Sequence, residues 1–175
     1  LFVALLVVLI SKRERKESKD GKERFIILDK HHKIKNKSNK KIKIPKKIWQ
    51  THETNILPIN ICKNIQTIIN QNSDFEYNFH TKEDRINFIK ENFDKKVLKA
   101  YNKINSGAGK SDIWRLAILL KEGGIYFDCD FKLIDNPNKF IEIIDKDDEF
   151  IHGRNWYIWG FDAPHPNGVL CSTPN

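Results

Sequence analysis

Methionine is absent from all 175 residues, and the only cysteines are Cys62, Cys129 and Cys171. An odd count without C-x-x-C spacing builds neither a disulfide framework nor a zinc site. The chain has no G-x-G-x-x-G, no P-loop and no internal repeat. That removes the common phosphate-cradling loops and the solenoid folds. No apolar run reaches the roughly 20 residues a transmembrane helix needs. LFVALLVVLI is ten residues long and runs straight into SKRERKESK. Charge of one sign is also missing from most of the chain. The formal net charge is +8, yet residues 11–47 hold 16 Lys/Arg against 5 Asp/Glu, and residues 48–175 hold 15 against 18. A DNA-binding domain carries its basicity on the fold itself, so no nucleic-acid partner is expected.

What is present suits one domain with a real core. Aromatics make up 11% of the chain and include four Trp, which excludes a disordered polypeptide. The missing initiator Met predicts that residues precede Leu1. Residues 1–10 are then expected to be the remainder of a membrane anchor or signal segment, and residues 11–43 a basic, flexible stem. Together these predict a single-pass, membrane-anchored protein. The positive-inside rule taken alone would put the basic flank in the cytoplasm. Asn36-Lys37-Ser38 is a glycosylation sequon that matters only in a lumenal segment.

Order is expected to begin at Ile44-Pro45, with KKIWQTH as a short strand. NICKNIQTIINQN (60–72) places Ile61, Ile65, Ile68 and Ile69 along one helical face. DFEYNFHT (74–81) alternates Phe75, Tyr77 and Phe79 as a strand does, and Thr81 with Asp84 forms a capping-box variant for the next helix. DKKVLKAYNKI reads as a further helix, followed by a flexible NSGAG. KSDIWRLAILLKEGG then reads as a helix buried on most sides, capped by Ser111 and leaving through Gly123. IYFDCDFKLI (125–134) has the strongest strand character. Strands alternating with helices predict an α/β domain with a largely parallel sheet, whose ligands gather at the carboxyl ends of its strands.

On that last strand, Asp128 and Asp130 face one way and Cys129 the other. Two carboxylates a few ångströms apart repel unless a cation joins them, and hard oxygen ligands suit Mg²⁺ or Mn²⁺. By spacing alone the pair reads equally well as a solvated strand end. The preceding helix sharpens the choice. Asp112 and Arg115 share one side of it, and a Gly-Gly turn leads directly into D-C-D. An arginine near a helix N-terminus does not answer the helix dipole. It is held by Asp112, by ligand phosphate or by both, the plain alternative being an Asp112–Arg115 surface pair.

The run from Ala108 to Asp130 resembles, almost without a gap, the A-x-x-S-D-[ILF]-x-R-x-x-x-L-x-x-x-G-G-[IV]-Y-x-D-x-D block of DXD-motif glycosyltransferases. These include the mannosyltransferases of glycosyltransferase family 32, among them the inositol-phosphoceramide enzymes, and more distantly bacterial glucosylating toxins. IPKKIWQTH is similar to the family's opening I-P-K-x-I-H-Q-T-W, with Trp49 in the place of His and His52 in the place of Trp. NGVLCSTPN resembles the family's N-[AG]-x-x-x-[AS]-x-P-x-H-P and stops before His-Pro.

The resemblance implies a GT-A-type, Rossmann-like α/β fold, with a mostly parallel sheet flanked by helices, incomplete at the C-terminus. Residues 44–175 would form its N-terminal part. It implies a nucleotide-sugar donor, GDP-mannose first and a UDP-sugar second, with retention at the anomeric carbon. The acceptor would be a glycan or glycolipid, the N-terminal segment would meet the membrane, and the catalytic domain would lie in the lumen of the Golgi or ER. Asp128 and Asp130 would be catalytic and hold Mn²⁺ or Mg²⁺. Asp112, Arg115, Gln50, Thr51, Tyr126 and Asn167 would bind the donor.

Two rivals differ in class. A haloacid-dehalogenase-type phosphatase also places D-x-D after an apolar strand, but Lys132 stands where it wants Thr or Val. A membrane-anchored, non-catalytic sugar-binding module is the other. His80, His152 and His165 match no metal-ligand spacing and read as surface or loop residues. Trp156 and Trp159 read as packing residues before sugar platforms.

Overall fold

The computed structural model describes residues 15–17, 23–26, 30–35, 38–130, 140–152, 157–158, 161–162 and 168–175. The basic segment 11–43 contributes three short strands, β1 (Arg15–Glu17), β2 (Glu23–Ile26) and β3 (His31–His32). β1 and β2 join β5 (Ile56–Pro58) in a small antiparallel sheet.

The larger sheet is built around β4 (Lys47–Thr51), with four of its five residues buried. Parallel neighbours flank it on both sides, β6 (Glu76–His80) and β7 (Gly124–Phe127). The strand order is β3-β6-β4-β7-β11-β8, where β8 is Phe150–His152 and β11 is Val169–Ser172. β3 pairs antiparallel with β6, β11 with β7, and β8 with β11. The expected mostly parallel sheet is therefore a mixed one. Its parallel centre comes from strands joined through helices, whereas β11 returns beside β7 in the opposite sense. A two-stranded antiparallel piece, β9 (Tyr157–Ile158) with β10 (Phe161–Asp162), lies apart from these sheets.

Strand alternation divides the core in two. Ile48, Tyr77, Phe79, Ile125 and Phe127 face helix α1 (Ile59–Gln71), which buries Cys62, Ile65, Ile68 and Ile69. Trp49, Tyr126 and Leu170 face the other side, toward Phe88 and Ile89 of α2 (Lys82–Asn92), Tyr101 of α3 (Lys95–Lys103) and Trp114 and Ile118 of α4 (Gly107–Glu122). A short helix α5 (Phe140–Ile143) adds Ile141 to the first core.

Local chemistry explains most boundaries. Thr81 and Asp84 close the expected capping box on α2. Asp94 accepts from the amides of Lys96 and Val97 at the start of α3. α4 begins earlier than expected, because Ser106 accepts from the Gly109 amide and NSGAG is largely wound into helix. Ser111, the expected cap, instead donates its hydroxyl back to the Gly107 carbonyl. Asp112 and Arg115 therefore sit beyond the first turn. Nor is α4 buried on most sides: Ile113, Leu116 and Leu120 are exposed. At its end Gly123 and Gly124 have φ of 61° and 103°. A Cβ on Gly124 would lie 2.6 Å from the Lys47 carbonyl oxygen, so the return into β7 requires glycine there.

The expected strand over 125–134 stops at Phe127, and Cys129 and Asp130 lie in a turn. Asp128 donates its amide to the Gly168 carbonyl, and its own carbonyl accepts from Gln50. Backbone polar groups satisfied outside the ladder end the strand there.

The membrane-anchored localisation is corrected: among the described residues no helix is long and apolar enough to cross a membrane. Residues 1–10, on which that expectation rested, lie outside the described residues, as do Asn36 and Lys37 of the sequon.

Candidate functional site

The carboxyl ends of β4 and β7 and one side of α4 enclose a cleft of about 320 Å³. Its walls include Thr51 and His52 after β4, Ser111 and Arg115 of α4, and Asp128 and Asp130 after β7. Both aspartates of D-x-D thus reach one space. Cys129 also reaches the cleft wall but belongs to the core beneath, with its thiol on the Thr51 carbonyl at 3.2 Å. Burial pushes that thiol up to about 12, so it is no nucleophile at neutral pH.

Arg115 organises the cleft. Its side chain is 6% exposed and lies 2.8 Å from the Asp112 carboxylate and 3.2 Å from that of Asp128. The guanidinium also stacks over the Tyr126 ring at 4.6 Å, a cation–π contact that strengthens when water is excluded. The expected Asp112–Arg115 pair is present, but it is more than a surface pair, since the arginine is buried and also reaches the D-x-D turn. Tyr126 donates its hydroxyl to the same Asp128 oxygen at 2.6 Å. Burial raises the Asp128 pKa, against the pull of the Tyr126 hydrogen bond and the Arg115 charge. The Tyr126 hydroxyl is pushed upward, first by burial and then by the Asp128 charge, and stays a proton donor.

Gln50 does not face the cleft. It is fully buried, accepting from the Tyr77 hydroxyl at 2.9 Å and donating to the Asp128 carbonyl at 3.2 Å. It props the D-x-D turn from below. Thr51 lines the cleft while its hydroxyl donates to the His80 carbonyl. Asn167, Trp156, Trp159 and His165 lie outside the described residues. His80 is not a surface or loop residue: it ends β6 with its ring against Trp49 and Trp114, at centroid distances of 5.6 and 5.0 Å.

Sequence reasoning missed Ile61, which borders the cleft, and Arg85, which lies behind it. Arg85 carried one signal, because arginine tolerates burial better than lysine. Only three of the 15 basic residues in 48–175 are Arg.

The donor set bears on which cation fits. Among the described residues no group of three or more His, Cys, Asp or Glu could hold a metal ion. Two carboxylates facing one cleft suit a hard cation that completes its shell with phosphate oxygens, as Mg²⁺ does. They do not suit an ion held by protein ligands alone.

The family described as "Glycosyltransferase sugar-binding region containing DXD motif" matches residues 58–148, more than half of the chain. The chain belongs to this family. An uncharacterized glycosyltransferase of Acanthamoeba polyphaga mimivirus, L373, is 33% identical over 134 residues. That match covers 73% of this chain and 48% of the viral protein, so the chain spans about half the length of the curated relative it matches. No solved structure matches the chain significantly. Asp128 and Asp130 form a D-x-D triplet within the matched residues.

Proposed function

We propose that residues 44–175 form a GT-A-type unit that binds a nucleotide-sugar for hexose transfer to a glycan or glycolipid acceptor. The observation that carries this reading is the convergence of Asp128, Asp130 and Arg115 on one cleft in a chain of the DXD glycosyltransferase family. Asp128 and Asp130 are the residues assigned to hold Mn²⁺ or Mg²⁺, which when bound would neutralise a departing diphosphate.

The chain's own groups prepare the site. Arg115 is held by Asp112, Asp128 and the Tyr126 ring. Held in this way, the guanidinium needs little reorganisation to meet phosphate. Tyr126 and Gln50 secure the Asp128 carboxylate and carbonyl, so the D-x-D turn is set before ligand arrives. We assign Thr51 and Asn167 to the donor as well. GDP-mannose is the first donor to test and a UDP-sugar the second, with retention as the expected stereochemistry.

Thermal unfolding tests the reading. GDP or UDP at about 100 times its Kd should stabilise the protein by about 2.7 kcal/mol, raising Tm by roughly 5–10 °C, and only with Mn²⁺ or Mg²⁺ present. Asp130→Ala, at an exposed position, should keep the ligand-free Tm and lose the shift. A well-folded protein that shows no metal-dependent shift with either nucleotide would overturn the assignment.

A further inference from the structure

Arg85 does not line the cleft, yet its side chain is fully buried, with 0% exposure. It projects from the first turn of α2, just after the capping box. Its Nη1 donates to the Thr51 hydroxyl at 2.7 Å and to the His52 carbonyl at 3.2 Å. Its Nη2 pairs with the Glu53 carboxylate, and its Nε donates to the Tyr101 hydroxyl of α3 at 3.3 Å. One guanidinium therefore grips three consecutive residues, 51–53, of the segment leaving β4. Two of them, Thr51 and His52, form a wall of the cleft.

The contact continues to the opposite wall. The Glu53 carboxylate lies against Gly107, the first residue of α4, where an added Cβ would come within 3.1 Å of its oxygen. α4 carries Ser111 and Arg115 into the cleft. Thr51 is also tied to the D-x-D turn, since its carbonyl accepts from the Cys129 thiol.

Burying a charge costs free energy that the pairing often does not return, and an apolar residue of similar volume often serves stability as well. A planar fork that meets four partners at once supplies geometry instead. We propose that Arg85, through Glu53, is a positioning residue that sets the separation of the two cleft walls. It acts through residues 51–53 and the start of α4 without touching ligand. The binding consequence rests on the nucleotide-sugar reading above, whereas the clamp itself does not.

Hydrogen exchange in the full chain tests the clamp without ligand. Glu53 is half-exposed, so Glu53→Ala should still fold, but with a Tm lower by several degrees because the buried Arg85 charge loses its carboxylate. Peptides covering 51–56 and 106–112 should exchange about tenfold faster relative to β6 and α1 of the same variant. Arg85→Lys, which keeps charge but loses the fork, should show the same local pattern and fail to restore wild-type protection. Unchanged exchange in both segments, or a uniform rise throughout the protein, would overturn the proposal. If Arg85→Lys does not fold, Glu53→Ala decides alone. In a second arm, the Kd for GDP or UDP with Mn²⁺ should rise about tenfold in Glu53→Ala. Binding that is unaltered despite loosened walls would remove the clamp's role in binding. If wild type binds neither nucleotide, the glycosyltransferase reading fails, and the exchange result still decides whether Arg85 is a clamp.

Discussion

Burial raises the pKa of Asp128 but depresses that of His80, because it disfavours the charged form of each. His80 is lowered to about 4, first by burial and then by the nearby charges of His31, Lys30 and Arg85, with Asp84 opposing. Its Nδ1 is buried and has no hydrogen-bond partner among the described residues, and its ring rests against Trp114. Between about pH 6.5 and 4 the unfolded chain therefore carries a proton on this histidine that the folded chain does not. Stability falls as pH drops through that window. The loss should be on the order of 2 kcal/mol, reduced from the full linkage value because the ring is partly exposed. Urea denaturation at pH 7 and pH 4.5 checks this: His80→Phe should flatten the difference. A wild-type curve that matches the variant's would dismiss the effect.

At the scale of elements, the Gly123-Gly124 turn joins the helix bearing Asp112 and Arg115 to the strand that presents D-x-D. Gly124, at φ 103°, brings its backbone so close to β4 that a Cβ would lie 2.6 Å from the Lys47 carbonyl oxygen and 3.0 Å from the Trp49 indole nitrogen. That indole donates to the Gly123 carbonyl at 2.8 Å. Trp49, in the place of the family's His, is thus part of the turn's support, and His52, in the place of its Trp, borders the cleft. Gly124→Ala should cost about 3 kcal/mol or more, through strain and displacement of β4. A loss below about 1 kcal/mol in chemical denaturation would mean the turn relaxes freely. The caps were legible one by one, at Thr81 and Gly123. The start of α4 was not, since Ser106 and Ser111 are both competent caps. The winner depends on whether Gly107 and Gly109 are wound into the helix.

Over the whole molecule, three distant cysteines meet in one core. Cys62 comes from α1, Cys129 from the D-x-D turn and Cys171 from β11, and all are buried thiols outside any disulfide. Burial pushes the thiols of Cys129 and Cys171 up to about 12. Ellman's reagent at pH 8 should therefore find three thiols in denaturant and react at least about a hundredfold more slowly with the native chain. A single fast native thiol would show that this core opens, or that its packing differs from the one described. The odd cysteine count pointed away from disulfides, but not to a shared core, because nothing local links positions 62, 129 and 171.

Periodicity and turn chemistry alone determined the α/β class and most helix and strand positions, while the order S-D, R, G-G, D-x-D carried the resemblance to DXD-motif glycosyltransferases. Those signals act between residues a few positions apart, so they can be read along the chain. Only the tertiary structure decided that the sheet is mixed, that His80 is packed against tryptophans, and that Arg115 reaches Asp128. It alone brought Arg85 to residues 51–53 and put Gln50 beneath the D-x-D turn. These contacts join residues 13 to 78 positions apart. Each exists only once β4, β6 and β7 lie side by side, and strand pairing over such distances leaves little trace in local sequence.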